Sequence, residues 1–81
     1  MTTVYKFYKD NCAPCYNLNR ILNVINVPEN IEIIPKNVNL DENKILAKSF
    51  GIDKVPALLF ESGKSLIGQH NKDEVVNFLS V

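Results

Sequence analysis

The sequence predicts one α/β domain, residues 1–81, with elements in the order β-α-β-α-β-β-α and a four-stranded mixed sheet flanked by helices. Short β-branched and aromatic runs alternate with stretches whose apolar residues recur every three or four positions. A helix pattern separates the first two strand patterns, as in a parallel βαβ unit, whereas three turn residues separate the last two, as in a hairpin. We expect the first strand to be central, with helices on both faces of the sheet.

The first half of the chain predicts strand, helix and strand. Residues 3–8 are β-branched and aromatic, as in a strand. From Pro14 onward, apolar side chains recur at steps of three and four and predict an amphipathic helix, with the proline suited to its first turn. The polar face of this helix is expected to carry Asn17, Asn19, Arg20, Asn23 and Asn26. A second strand is expected over 31–40, and Pro35 places it at a sheet edge or at a bulge.

A short second helix is predicted over 42–50, with signals at both ends. Asp41 is expected to cap its start, and Gly51 follows as a stop. Leu40 and Ile45 have the spacing of a hydrophobic staple, which would fix the direction of the chain entering the helix.

The last third of the chain predicts a hairpin and a closing helix. Strands are expected over 57–61 and 65–69, joined by a turn at 62–64. Asn71 and Glu74 have the spacing of a capping box and open the last helix. Its inward side chains are expected to be Val75, Val76, Phe78 and Leu79.

Charge and hydropathy argue against several classes of partner. Nine basic and nine acidic residues give zero formal net charge, and no basic block suggests a nucleic-acid partner. The N-terminus lacks the pattern of a signal peptide, and no segment approaches the roughly 18 apolar residues of a membrane span. We expect a cytoplasmic monomer without membrane partners, in a compartment where a structural disulfide is unusual and a cycling one is not.

The only two cysteines stand two residues apart, directly after a strand pattern and at the start of a helix pattern. Unpaired backbone N–H groups and the helix dipole favour a thiolate at the first of them, Cys12. Such a pair beside a βαβ pattern predicts disulfide exchange. Cys12, at the exposed helix start, would attack a substrate disulfide, and the more buried Cys15 would then attack the Cys12 sulfur and release the reduced substrate.

Two other uses of the cysteines stay open at this point. A structural staple should close a long loop, whereas the chain-entropy relation gives about 2 kcal/mol for this short one and about 4.7 kcal/mol for 100 residues. A structural zinc site needs four ligands, and only His70 is available beside the two sulfurs, so we expect no metal.

A second motif favours the redox interpretation. Val55-Pro56 precedes an apolar strand pattern, and the segment 38–60 resembles the second half of a thioredoxin. With the cysteine pair, Gly63 and Gly68, the resemblance to thioredoxins and glutaredoxins covers almost the whole chain. It implies a thioredoxin fold in its minimal form, without the extra N-terminal strand and helix of full thioredoxins.

The resemblance implies a role for each residue of the two motifs. Cys12 is implied to be the nucleophile and Cys15 the resolving thiol of a redox-active disulfide that needs no bound cofactor. Pro56 is implied to be a cis-proline that faces this disulfide. The backbone of Val55 is implied to pair with substrate as an added strand.

Three nearby residues are candidates for tuning the thiols. Lys6 stands where thioredoxins bury an aspartate, and it either favours the thiolate as a cation or packs its stem on apolar surface with the amine in water. Lys9 matches a lysine that is common in glutaredoxins, with a solvated charge as the alternative. Tyr8 is expected beside the disulfide or in the core. Alternation along the strand places Lys6 and Tyr8 on one face and Tyr5 and Phe7 on the other.

The combined prediction is a thiol-disulfide oxidoreductase that reduces protein disulfides. The alternative is a redox-inactive module that keeps the thioredoxin fold and binds a partner in its groove.

The Ala13-Pro14 dipeptide, expected to contact the substrate, resembles that of many thioredoxins. The segment that follows Gly68 lacks the pair of glycines with which glutaredoxins hold glutathione. Both features favour NADPH, through a flavin-dependent thioredoxin reductase, over glutathione as the electron donor. Ribonucleotide reductase is the substrate that the family suggests.

Overall fold

The computed structural model describes residues 1–80 and has the predicted seven elements in the predicted order. They are β1 (Thr2–Tyr8), α1 (Ala13–Val24), β2 (Ile31–Asn37), α2 (Asp41–Ser49), β3 (Ala57–Phe60), β4 (Ser65–Ile67) and α3 (Lys72–Leu79). The sheet order is β2-β1-β3-β4, with β1 and β2 parallel and the other pairs antiparallel. The predicted mixed sheet with an inner first strand is therefore confirmed.

Helices cover both faces of the sheet, because β1 directs successive side chains to opposite sides. Val4 is fully buried in a cluster that includes residues of α1 and α3, such as Leu18 and Phe78. Phe7 is fully buried in a second cluster with Ala47 of α2. Full burial of one such large side chain contributes about 1.5–3 kcal/mol to folding, so these two cores hold the helices on the sheet.

The strand β2 lies at the sheet edge, as Pro35 predicts. It pairs only with β1, and Val38 donates to the Tyr8 carbonyl at 2.8 Å. Backbone direction alternates along the strand, so the nitrogen of Pro35 falls on the free side, where no donor is needed. The strand ends at Asn37 and not at residue 40, because the Asn37 side chain accepts the Asn39 N–H at 2.9 Å and turns the chain.

The predicted start of α2 is wrong in two respects. Leu40, not Asp41, occupies the N-cap position, and no side chain caps the helix. The turn after β2 explains this, because the Leu40 N–H donates to the Asn37 carbonyl at 3.1 Å and brings the helix start forward. Leu40 and Ile45 are 54% and 67% exposed, so they form no staple. Gly51 ends the helix with a φ of 76°, as predicted.

The closing helix α3 begins with the predicted capping box. Asn71 Oδ1 accepts the Glu74 N–H at 2.9 Å, and Glu74 Oε1 accepts the Asn71 N–H at 3.1 Å. The strand β4 stops at Ile67, short of the predicted end at residue 69, because the φ of 88° at Gly68 turns the chain out of the strand after a last hydrogen bond to the residue preceding β3. Val76 was predicted to face inward but is exposed, since it lies off the stripe whose buried members are Val75, Phe78 and Leu79.

Candidate redox site

The two cysteines form a disulfide at the turn from β1 into α1, with their Cα atoms 5.2 Å apart. Cys12 is the N-cap residue of α1, and its sulfur accepts the Cys15 N–H at 3.2 Å. Asn11 precedes it with a φ of 55°, a left-handed conformation that asparagine tolerates better than most residues. The turn therefore directs an N–H group of the first helical turn at the Cys12 sulfur.

Both cysteines are buried, which corrects the expected exposed position of the first. Cys12 is 5% exposed and Cys15 is 3% exposed. In the disulfide form, the Cys12 sulfur is bonded to Cys15 and accepts its N–H, so the side chain is turned toward the helix instead of solvent. Ala13 is the exposed residue of the motif, and Pro14 is half-buried within the first turn.

The Val55–Pro56 peptide is cis, as predicted. Pro56 is buried, its carbonyl accepts the Gly68 N–H at 2.8 Å, and it lines one cleft together with Pro14. The other apolar residues lining this cleft are Leu18, Leu58, Leu66 and Val75. Side chains fill the cleft almost completely, since it leaves a volume of about 10 Å³, close to the minimum for one water molecule.

Lys6 extends from β1 toward α1 and is half-buried. Its Nζ donates to Asn19 Oδ1 at 2.6 Å and lies 5.8 Å from the centre of the Tyr8 ring. Asn19 was predicted on the polar outer face of α1, but this contact places it toward the sheet. Burial lowers the pKa of Lys6 from its usual 10.5, since water solvates the ammonium less completely.

The sequence matches a known protein family along its whole length. The family model described as Thioredoxin matches residues 1–81. The chain belongs to the thioredoxin family. A thioredoxin of Rickettsia bellii is 26% identical to this thioredoxin-family chain, over 91% of the chain and 74% of that protein.

Two solved structures share the fold of this thioredoxin-family protein. A mutant thioredoxin from Halobacterium salinarum has a TM-score of 0.75 and 26% identity, over 96% of this chain and 71% of that one. Trxlp from Edwardsiella tarda has a TM-score of 0.77 over 99% of this chain and 82% of that one; its 17% identity shows the fold alone. Family membership and the Cys12–Cys15 disulfide together fit a thiol-disulfide oxidoreductase.

A second concave surface lies on the α2 side of Val55, and the sequence alone did not predict it. Lys9, at the end of β1, lines it with three further exposed lysines from α2 and the approach to β3: Lys44, Lys48 and Lys54. The four-residue interval between the two lysines of α2 could have indicated a shared helix face. Their approach to Lys9 and Val55 depends on tertiary structure.

His70, the only histidine, is engaged away from the sulfurs. Its Nδ1 lies 2.9 Å from Glu74 Oε2, and its Nε2 lies 2.9 Å from the Ile67 carbonyl oxygen. Within residues 1–80, no three His, Cys, Asp or Glu side chains are grouped to hold a metal ion. No helix in the same part of the chain has the length and apolar character of a membrane span.

Proposed function

We propose that this thioredoxin-family protein reduces protein disulfides through the Cys12–Cys15 dithiol. The Cys12 thiolate attacks one sulfur of a substrate disulfide, forms a mixed disulfide and releases the other substrate sulfur as a thiolate, which takes up a proton. The Cys15 thiolate then attacks the Cys12 sulfur and releases the second substrate sulfur. Two electrons pass to the substrate, and the Cys12–Cys15 disulfide forms.

The observation that carries this proposal is the position of Cys12 at the N-cap of α1. Its sulfur accepts an N–H group of the first turn, and the positive end of the helix dipole lies at the same place. Both interactions strengthen when the sulfur carries a negative charge, so they favour the thiolate that attacks. Cys15 lies one turn along the helix, within bonding distance of Cys12 without backbone movement.

The backbone of Val55 supports a place for the substrate chain. The ladders of β3 with β1 and with β4 begin at Ala57, and no backbone hydrogen bond engages Val55 within residues 1–80. An extended substrate segment could therefore pair with it as an added strand. Pro56 and the Ala13-Pro14 dipeptide would then contact the substrate on either side of its sulfur.

Lys6, Tyr8 and Lys9 are proposed to tune the thiols to different extents. The hydrogen bond to Asn19 holds the Lys6 ammonium on the sheet-facing side of α1, one turn beyond Cys15. A cation there favours the thiolate of Cys15, and the Tyr8 ring lies beside the same ammonium. Lys9 is exposed, so its effect on Cys12 is weakened by solvent screening.

An insulin-reduction assay with dithiothreitol tests the proposal. The wild-type protein should accelerate precipitation of the insulin B chain, and Cys12→Ser should lose that acceleration because it lacks the attacking sulfur. A wild-type protein that does not accelerate the reaction would support the alternative, a redox-inactive module that binds a partner in its groove.

The electron donor is proposed to be NADPH through a thioredoxin reductase, with glutathione slow. The Ala13-Pro14 dipeptide and the missing glycine pair after Gly68 support a reduction potential nearer to about −270 mV than to roughly −200 to −230 mV. Equilibration with glutathione buffers, followed by mass, gives this potential. Coupled NADPH assays with each reductase system identify the donor, and faster turnover with glutathione would contradict the proposal. We further propose that the protein is a cytoplasmic monomer and that ribonucleotide reductase is a disulfide substrate that it reduces.

A further inference from the structure

The concave surface on the α2 side of Val55 is lined at its rim by lysines. We call it the lysine groove and define it by Lys9, Lys44, Lys48 and Lys54. Its floor is apolar and is formed by Val38, Ala47, Ile52 and Val55. The volume of about 430 Å³ is that of a typical ligand pocket, in contrast to the filled cleft beside Pro56.

The groove carries a local excess of positive charge. Four of the nine basic side chains line it, in a chain whose formal net charge is zero. Asp53 is the one acidic residue in the lining, and none of the four lysines forms an ion pair within the described residues 1–80. Lys44 and Lys48 are like charges four residues apart on α2, an arrangement that destabilises a helix. Lys48 lies in the last turn of α2, where a cation interacts favourably with the helix dipole, but this does not require the other three lysines to lie beside it. An anionic partner would be stabilised by all four.

The groove is continuous with the proposed path of the substrate. Val55 belongs to its floor, and Lys9 stands three residues before Cys12 in the chain. A substrate segment that pairs with Val55 while its sulfur reaches Cys12 must therefore pass the lysine rim. Side chains of an extended segment point alternately to opposite sides, so every second residue can enter the groove.

We propose that the lysine groove selects protein disulfides whose flanking segment is acidic. This inference rests on the proposed function and names the substrate class for the same site. The occupant is an extended polypeptide and not a compact anion, because the lysines come from three separate segments of the chain and the groove includes Val55, whose backbone is free to pair with an added strand. Carboxylates on alternate residues of the segment would pair with the exposed ammonium groups.

Matched cystine peptides test the inference by turnover. Three peptides of equal length carry acidic, neutral or basic residues at alternate positions beside the cystine, and their reduction is followed with dithiothreitol as donor. The wild-type protein should reduce the acidic peptide about threefold to tenfold more efficiently than the neutral one at low ionic strength. This preference should shrink at about 0.5 M salt, because screening then acts over only a few ångströms.

Charge-matched variants assign the preference to the groove. The double variant Lys44→Gln with Lys48→Gln should bring the ratio of acidic to neutral peptide close to one. Arg20→Gln with Lys64→Gln removes the same charge outside the groove and should keep the ratio. An unchanged ratio in the Lys44 and Lys48 variant, or an equal loss in the control, would overturn the inference. Reduction of glutathione disulfide that depends on Lys44 and Lys48, without any peptide preference, would also overturn it.

A binding measurement separates the groove from the redox chemistry. Fluorescence anisotropy with the same peptides, serine replacing each cysteine, reports affinity without electron transfer. Tighter binding of the acidic peptide, lost in the Lys44 and Lys48 variant, supports the groove even if no peptide is reduced, and the absence of reduction would then contradict only the proposed function. Equal binding of all three peptides would overturn the inference whatever the turnover.

Discussion

Two surfaces meet at the Val55–Pro56 peptide and are built from opposite kinds of side chain. On the side of α1 and α3, the cleft beside Pro56 is lined mostly by apolar side chains and is filled, and Leu58 belongs to the larger core. On the side of α2, the lysine groove is open and its rim is charged and exposed. The cleft is therefore a product of folding, whereas the lysines of the groove rim are exposed and form no ion pair within residues 1–80.

Stability and recognition therefore depend on different surfaces of the molecule. Substitutions in the cleft should lower the free energy of unfolding, because they remove buried contacts and leave cavities. Substitutions at the groove rim should leave the free energy of unfolding almost unchanged and alter the choice of substrate. The two surfaces can therefore be tested independently.

The largest expected effect on stability comes from Leu58→Ala. Leu58 is 1% exposed, so its truncation should lower the free energy of unfolding by about 2–5 kcal/mol. Ile45→Ala removes a 67% exposed side chain, and Lys48→Gln changes the groove rim; each should cost less than about 0.5 kcal/mol. Urea unfolding measures all three, and equal costs would break the distinction between the two surfaces.

Lys6→Met should have a smaller effect that depends on pH. Burial lowers the pKa of Lys6 below 10.5, so the unfolded chain binds more protons and wild-type stability rises with pH toward that value. Methionine keeps the apolar stem without the charge. Methionine also removes the hydrogen bond to Asn19, so the prediction concerns the change with pH. The stability of Lys6→Met relative to wild type should fall as the pH rises toward 10.5, by less than about 1 kcal/mol because the ammonium is only partly buried. Urea midpoints between about pH 7 and 10.5 measure this difference, and a relative stability that rises with pH would contradict the assignment.

The smallest expected effect is at His70, beside the cleft. The hydrogen bond to Glu74, and then the one to the Ile67 carbonyl, raise the pKa of His70 above 6.5. Protonated His70 therefore contributes fully to folding stability below pH 6.5, and this stabilisation is lost as the pH rises through the raised pKa. The hydrogen bond from His70 lowers the pKa of Glu74 below 4.5. The stabilisation of the fold by ionised Glu74 is therefore lost as the pH falls through the lowered pKa. His70→Gln should lower Tm by at most a few degrees, most clearly between about pH 4.5 and 6.5.

Glu74→Gln is the matched variant for His70, because glutamine can still serve in the capping box. The Tm values of His70→Gln, Glu74→Gln and the double variant should depend on pH in the same way, since each variant removes the same charged pair. Additive losses in the double variant would show that the two side chains act separately.

Local patterns predicted the cleft side well. The cysteine pair and the capping box at Asn71 each depend on residues close in sequence, whereas the cis bond before Pro56 was predicted from the resemblance to thioredoxins and glutaredoxins. Periodicity placed Val75 and Phe78 in the core but also included Val76, because a helix of eight residues has little more than two turns and defines its buried face imprecisely.

The parts that sequence did not predict depend on tertiary contacts. The start of α2 was misplaced because a turn centred on Asn37 competes with Asp41 for the helix cap. Asn19 was assigned to solvent, since its partner Lys6 lies 13 residues away on another element. The lysine groove was not predicted from the sequence, because Lys9 and the lysines of α2 become neighbours only when the chain is folded.

The most direct test of disulfide exchange is the capture of substrate by Cys15→Ser. Without the resolving thiol, the mixed disulfide on Cys12 has no internal route to release, so mass spectrometry should find a stable adduct at Cys12 and turnover should fall at least about 100-fold. Cys12→Ser is the control and should accumulate no such adduct. Turnover of Cys15→Ser at the wild-type rate, or an adduct that forms only on Cys15 in the Cys12→Ser control, would contradict the assignment of the attacking and resolving thiols.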